Sequence, residues 1–91
     1  MYRLKTTKRA DKEIEAHKQS GQKILVDRIK QIFKELKLHP EIGIGKPEKL
    51  KNDPQERWSR RINEKNRITY QIDDVNLVVT VLSAIGHYDD K

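Results

Sequence analysis

The chain has 91 residues, too few for two hydrophobic cores, and 34% are apolar against 37% charged, so its core is thin and its chemistry belongs on a surface or in a shallow groove. Twenty Lys and Arg against fourteen Asp and Glu leave a net charge of +6, which suits an anionic partner: nucleic acid, a membrane surface or an acidic protein. The absence of cysteine excludes disulfides, thiol nucleophiles and thiolate zinc sites, and His17, His39 and His87 are too scattered for a metal motif, so chemistry without metal or cofactor is expected.

No stretch approaches the roughly 18 apolar residues that a membrane span needs, and MYRLKTTKRADKE lacks the apolar run of a secretory signal. A cytoplasmic protein with no membrane partner is expected. YRLK reads as a short opening strand. Thr6 and Thr7 are N-cap candidates for a helix through KRADKEIEAHKQ, in which Ala10, Ile14 and His17 share a face, and Ser20 with Gly21 ends it. From Gln22 to about Leu38 a second helix is marked by Leu25, Ile29, Ile32, Phe33 and Leu36, which recur at three and four. The short break between them predicts an antiparallel helical hairpin, and His39 with Pro40 stops its second arm.

PEIGIGKPE places two Pro and two Gly within nine residues and reads as a loop. Pro47 to Lys51 reads as a brief extended segment, closed by the turn sequence NDPQ. The hydrophobic period then changes from 3.6 to two. RWSRRIN and RITYQID flank a turn at Glu64, Lys65 and Asn66, and NLVVTVLSAI follows a second turn at Asp73 and Asp74. The expected fold is a single α+β domain over residues 1–91: a two-helix hairpin on a small, mostly antiparallel sheet, with the opening strand joined to a three-stranded meander.

Trp58 and Ile62 share one face of the first meander strand, and Ile68, Tyr70 and Ile72 share one face of the second. For both sets to reach one core the even-numbered residues must point inward. Arg61 and Arg67 then stand together on the opposite face, where two cations repel unless an anion or carboxylate lies between them. On spacing alone, a solvated basic face and a phosphate site both remain open.

Four features combine into one chemistry: the loop acid Glu48, the paired Arg61 and Arg67, the adjacent His87 and Tyr88, and the positive charge. Cleavage of RNA through its own 2′-hydroxyl requires a base, cations for the charge gathering on phosphorus, and an acid for the leaving 5′-oxygen. Glu48 suits the base, and Arg67 with Arg61 suits the phosphate. His87 suits the acid because its reference pKa of about 6.5 keeps it partly protonated near neutrality. Tyr88 suits stacking on a base or orienting the phosphate. Taken singly, each of these residues reads more readily as an ordinary surface side chain than as a catalytic one.

At GIGKPEKLK, WSRRINEKNRITYQI and GHY the chain resembles the YoeB (Txe) toxins of bacterial type II toxin–antitoxin modules, within the RelE superfamily. The motifs run from Gly43 to Tyr88, and the most specific is W-S-R-R-I with the upstream K-P-E-x-L-K. The resemblance implies a RelE-like, microbial-ribonuclease-like fold with a twisted sheet, and a metal-independent endoribonuclease that cuts mRNA in the ribosomal A site. Carried over by motif, the family's catalytic residues fall on Glu48, Arg67, His87 and Tyr88, and its supporting basic residues on Lys46, Lys51 and Arg61. The partners implied are the ribosome, mRNA and a YefM/Axe-like antitoxin with an acidic C-terminal segment, with a homodimer open as the free form. Two features depart from the family. Ile85 and Gly86 replace the arginine and aromatic common before the His-Tyr pair, and Asp89, Asp90 and Lys91 follow it. The two acids act either to raise the pKa of His87 or to repel RNA.

Two rivals remain, the first of them on the same scaffold. A ParE-like gyrase inhibitor generally lacks the acid, arginine and His-Tyr set, and predicts DNA damage without mRNA cuts. A basic RNA- or ribosome-binding module predicts salt-sensitive binding without cleavage, surviving loss of His87.

Overall fold

The computed structural model describes residues 1–86. In chain order it has β1 (Arg3–Thr6), α1 (Lys8–Gln19), α2 (Lys23–Leu38), β2 (Glu48–Lys49), β3 (Trp58–Arg61), β4 (Arg67–Asp73) and β5 (Val78–Ser83). The five strands form one sheet in the order β1-β5-β4-β3-β2. All pairings are antiparallel except that of β1 with β5. The expected α+β layout is the observed one, and the opening strand joins the meander as its parallel edge.

Local chemistry sets the helix boundaries. Thr7 stands in extended conformation and its hydroxyl accepts the Ala10 amide at 3.0 Å, satisfying one of the orphan donors of the first turn of α1. Asp11 adds a negative charge near the same helix end, where the macrodipole favours it. Gly21, at φ +74°, supplies the left-handed residue that ends α1 and lets the chain turn into α2. Gln22 makes no side-chain cap, so α2 is held chiefly by burial of Leu25, Ile29, Ile32 and Leu36. Each such side chain contributes about 1.5–3 kcal/mol when fully removed from water.

That stripe packs with Ala10, Ile62, Ile68, Tyr70, Val79, Val81 and Ala84 in one core on the helix-covered face of the sheet. The even-numbered residues of β3 and β4 point into it, as their alternation requires. Opposite them lies an open face. Registers Ser59↔Thr69 and Arg61↔Arg67 put the odd-numbered residues of the hairpin there side by side, and Glu48↔Ser59 adds the acid from β2.

Between β4 and β5 the register shifts, Tyr70 facing Val81 while Thr69 faces Ser83. The extra residue in β5 is Leu82. A bulge of this kind re-aims the side chains beyond it. Here it turns Ser83 to the face that carries Thr69 and Ser59.

Candidate active site on the open face of the sheet

Glu48 and Arg67 reach the site from the two strands that flank β3. The Arg67 Nη1 donates to Ser59 Oγ at 3.2 Å and stands 4.0 Å from Glu48 Oε1. The longer distance is an ion pair and not a hydrogen bond. Ser59 therefore orients the guanidinium, while the carboxylate stays open to solvent. The Arg67 side chain is 16% exposed and that of Glu48 66%. A largely covered cation beside an accessible carboxylate can hold an anion and exchange a proton with a group bonded to it.

The other predicted basic residues are exposed. Arg61 is exposed and faces Arg67 across the hairpin, and its main-chain N–H donates to Gly45 O at 2.7 Å. It also borders a shallow groove with Lys23, Ile24 and Arg28 at the start of α2. Lys46 is exposed at φ +50° directly after Gly45, and Lys51 is exposed in the turn after β2. Among the described residues no hydrogen bond or ion pair joins Lys46, Lys51 or Arg61 to Glu48. His87 and Tyr88 lie outside the described residues.

The three residues leading to that pair are firmly held. Ala84 and Ile85 donate their amides to Glu13 Oε1 at 2.7 and 3.1 Å, and the Ala84 carbonyl lies 2.8 Å from His17 Nε2. Gly86 donates to Asn66 Oδ1 at 3.0 Å and accepts the Arg67 amide at 3.0 Å. Glu13 and His17, one turn apart on α1, thus fix the exit of β5, and Gly86 is tied to the main chain of Arg67 itself. Spacing had placed His17 on the buried face of the helix; the clamp shows what that buried imidazole touches.

Sequence reasoning passed over Arg60 and Glu35. Arg60 has no exposed surface, although Arg61 beside it in β3 is exposed. Its Nη1 donates to Glu35 Oε1 at 2.6 Å and to Ile44 O at 3.4 Å; Nη2 donates to His39 O at 3.2 Å and Ile42 O at 2.7 Å; Nε donates to Tyr70 Oη at 3.3 Å. Tyr70 passes a hydrogen bond on to Pro40 O at 2.8 Å, and its burial raises the hydroxyl pKa above the ordinary 10 despite the Arg60 contact. The signal was present: position 60 is even, so the alternation that sends Trp58 and Ile62 inward sends this arginine inward too.

A third arginine closes the turn between β2 and β3. Arg57 grips Asp53 through Nε at 2.9 Å, Nη2 at 3.0 Å and its own amide at 2.8 Å. The guanidinium contact, then the amide, lowers the Asp53 pKa to about 2.

This small α+β fold, two helices on one face of a five-stranded sheet, is shared with compact toxins of solved structure. The family model described as YoeB-like toxin of bacterial type II toxin–antitoxin system matches residues 6–88, and the chain belongs to that family. The Toxin YoeB of Synechocystis is 41% identical over 70 residues, covering 77% of this chain and 79% of its own. The Staphylococcus aureus YoeB dimer superposes with a TM-score of 0.80 at 31% identity, over 96% of this chain and 98% of that one. The YoeB-YefM complex from the same organism gives 0.78 at 30% identity, over 97% and 99%.

Proposed function

We propose that this toxin is a ribosome-dependent endoribonuclease that cuts mRNA in the A site and so stops translation. The observation that supports it best is the Glu48–Arg67 pair, which puts an accessible carboxylate 4.0 Å from a Ser59-oriented guanidinium on an open face. A phosphate bound by Arg67 brings its nearest 2′-hydroxyl within reach of Glu48. One of Glu48 and His87 takes the 2′-proton as O2′ bonds to phosphorus. The P–O5′ bond breaks, and the other group gives a proton to the leaving 5′-oxygen, leaving a 2′,3′-cyclic phosphate and a 5′-hydroxyl. Arg67, with Arg61, Lys46 and Lys51 around it, offsets the charge on the phosphorane oxygens. Tyr88 stacks on a base or orients the phosphate. None of these steps calls on a metal or cofactor.

The net charge of +6 favours both ribosomal RNA and an acidic antitoxin segment, with affinity falling as salt rises. Given relatives of the YoeB-YefM and YoeB-dimer kind, the partner is a YefM-like antitoxin and the free toxin forms a homodimer, in the cytoplasm where ribosomes are.

Induction followed by primer extension on translated mRNA tests the reading. Glu48→Ala, Arg67→Ala and His87→Ala are each expected to stay folded and lose about 10²-fold or more in cleavage rate, the scale of a lost acid, base or charge-stabilising group. Parental cleavage by any two of the three defeats it. DNA damage without mRNA cuts indicates a gyrase inhibitor instead. A pH–rate profile of the His87 variant assigns base and acid.

A further inference from the structure

The cage around Arg60 lies directly behind the candidate site. Ser59 and Arg61, its neighbours in β3, face the open side; Arg60 points to the opposite, helix-covered side and reaches the segment 39–45 there. That segment joins α2 to the strand carrying Glu48, has no strand or helix of its own, and would be free to move if nothing tied it down. Three of its carbonyls, those of His39, Ile42 and Ile44, accept from Arg60. The Ile44 amide donates at 2.9 Å to Glu35 Oε1, the same oxygen that accepts from Arg60.

The sequence is built for this closeness. At Gly43, φ is +129° and a Cβ would overlap Glu35 Oε1 and crowd Arg60 Nη1, so glycine is what lets the loop reach the pair without displacing it. At Gly45 the loop is stitched to β3 through the Arg61 amide, and Lys46 and Glu48 follow.

We propose that Arg60 is a positioning residue for the candidate site: by gathering the 39–45 carbonyls it fixes the loop that sets Lys46 and Glu48 against Arg67. Its planar fork suits this task in a way lysine does not, since one ammonium cannot reach Glu35, the Tyr70 hydroxyl and three carbonyls together. The inference rests on the catalytic reading of Glu48 and Arg67.

The test measures cleavage of mRNA on translating ribosomes by the full chain, fitting kcat and KM, beside hydrogen exchange at the Ile44 amide. Arg60→Lys is expected to lower kcat by about tenfold to a hundredfold with KM little changed, as a displaced catalytic group does. Exchange at Ile44 is expected to quicken while circular dichroism keeps the parental fold. A folded Arg60→Lys with parental kcat overturns the proposal, as does an equal loss spread into KM alone. Should that variant fail to fold, Tyr70→Phe decides, because it removes one Arg60 acceptor and the Pro40 donor while leaving the charge pair. A kcat loss of about threefold or more supports the assignment, and parental kcat defeats it. Glu48→Ala run alongside separates the two ideas. If it is inactive while the Arg60 variants are normal, only the positioning role fails; if it is itself fully active, the catalytic reading falls and takes the positioning role with it.

Discussion

Arg60 and Arg67 come from one β-hairpin and carry the same charge, yet they face opposite sides of the sheet and answer to different physics. Arg60 is enclosed among five acceptors, and Arg67 sits at 16% side-chain exposure with a serine and a distant carboxylate in its reach. A buried guanidinium is tolerable only when its donors are matched, so Arg60 is a structural commitment that leaves no capacity for a ligand. An arginine at an open face can meet a ligand that arrives from solvent. One rung of the β3–β4 ladder, where Arg60 pairs with Ile68 and Arg67 with Arg61, is enough to separate the two roles.

The largest expected effect comes from unbalancing the buried side. Glu35→Ala removes the acid that neutralises Arg60 and frees the Ile44 amide, and is expected to cost about 3–5 kcal/mol in urea unfolding. Arg67→Ala, by contrast, is expected to cost less stability than Glu35→Ala, because the guanidinium is partly exposed and its ion pair with Glu48 is long, with an exposed partner. If the two variants lost similar stability, the division between a structural and a functional arginine would not hold.

The exit of β5 sharpens the comparison at its other end. Glu13→Ala leaves the Ala84 and Ile85 amides without their acceptor, at an expected cost of about 1–3 kcal/mol. Hydrogen exchange at those two amides is expected to rise by more than at the buried Val79 of β5. Uniform acceleration along the strand would show instead that Glu13 serves only global stability. Smaller still is Ser59→Ala, which removes the hydroxyl orienting Arg67. It is expected to shift unfolding by about 1 kcal/mol and to reduce cleavage several-fold, less than Arg67→Ala. A Ser59 variant as inactive as Arg67→Ala would give the serine a role beyond orientation.

Most of the fold could be read from the chain because its signals are local and periodic. Thr7 as a cap, the 25-29-32-36 stripe and the alternation across residues 58–72 each follow from one element's own geometry. The placement of Glu48 beside Arg67 was less accessible, since it depends on the two-residue strand β2 pairing with β3, and propensity says little about a segment so short. The resemblance to known motifs supplied what spacing did not. Arg60 shows a different kind of gap. The alternation rule placed it inward, but an arginine beside another arginine reads as surface charge until its partner, 25 positions away on α2, is in view. The Leu82 bulge left no local mark either, because a register shift is a property of two strands together.

Arg57 supplies the intermediate case and the mildest prediction. Its side chain is 30% exposed, but it holds Asp53 with two guanidinium bonds and its own amide. The Asp53 carboxyl titrates near 2 in the folded chain, below its ordinary 3.8, so its ionised form is the one the fold prefers. The stabilisation is therefore complete above about pH 5, where Asp53 is ionised in both folded and unfolded chains, and is lost as pH falls from there through 2. Asp53→Asn is expected to flatten the stability profile only in that acid window and to leave cleavage near neutral pH unchanged. Carbon-detected titration of the Asp53 carboxyl checks the premise directly. A midpoint at the ordinary value would mean that Arg57 behaves as a solvated cation, like Arg61, and that this hairpin ties down Arg60 more firmly than any of its other arginines.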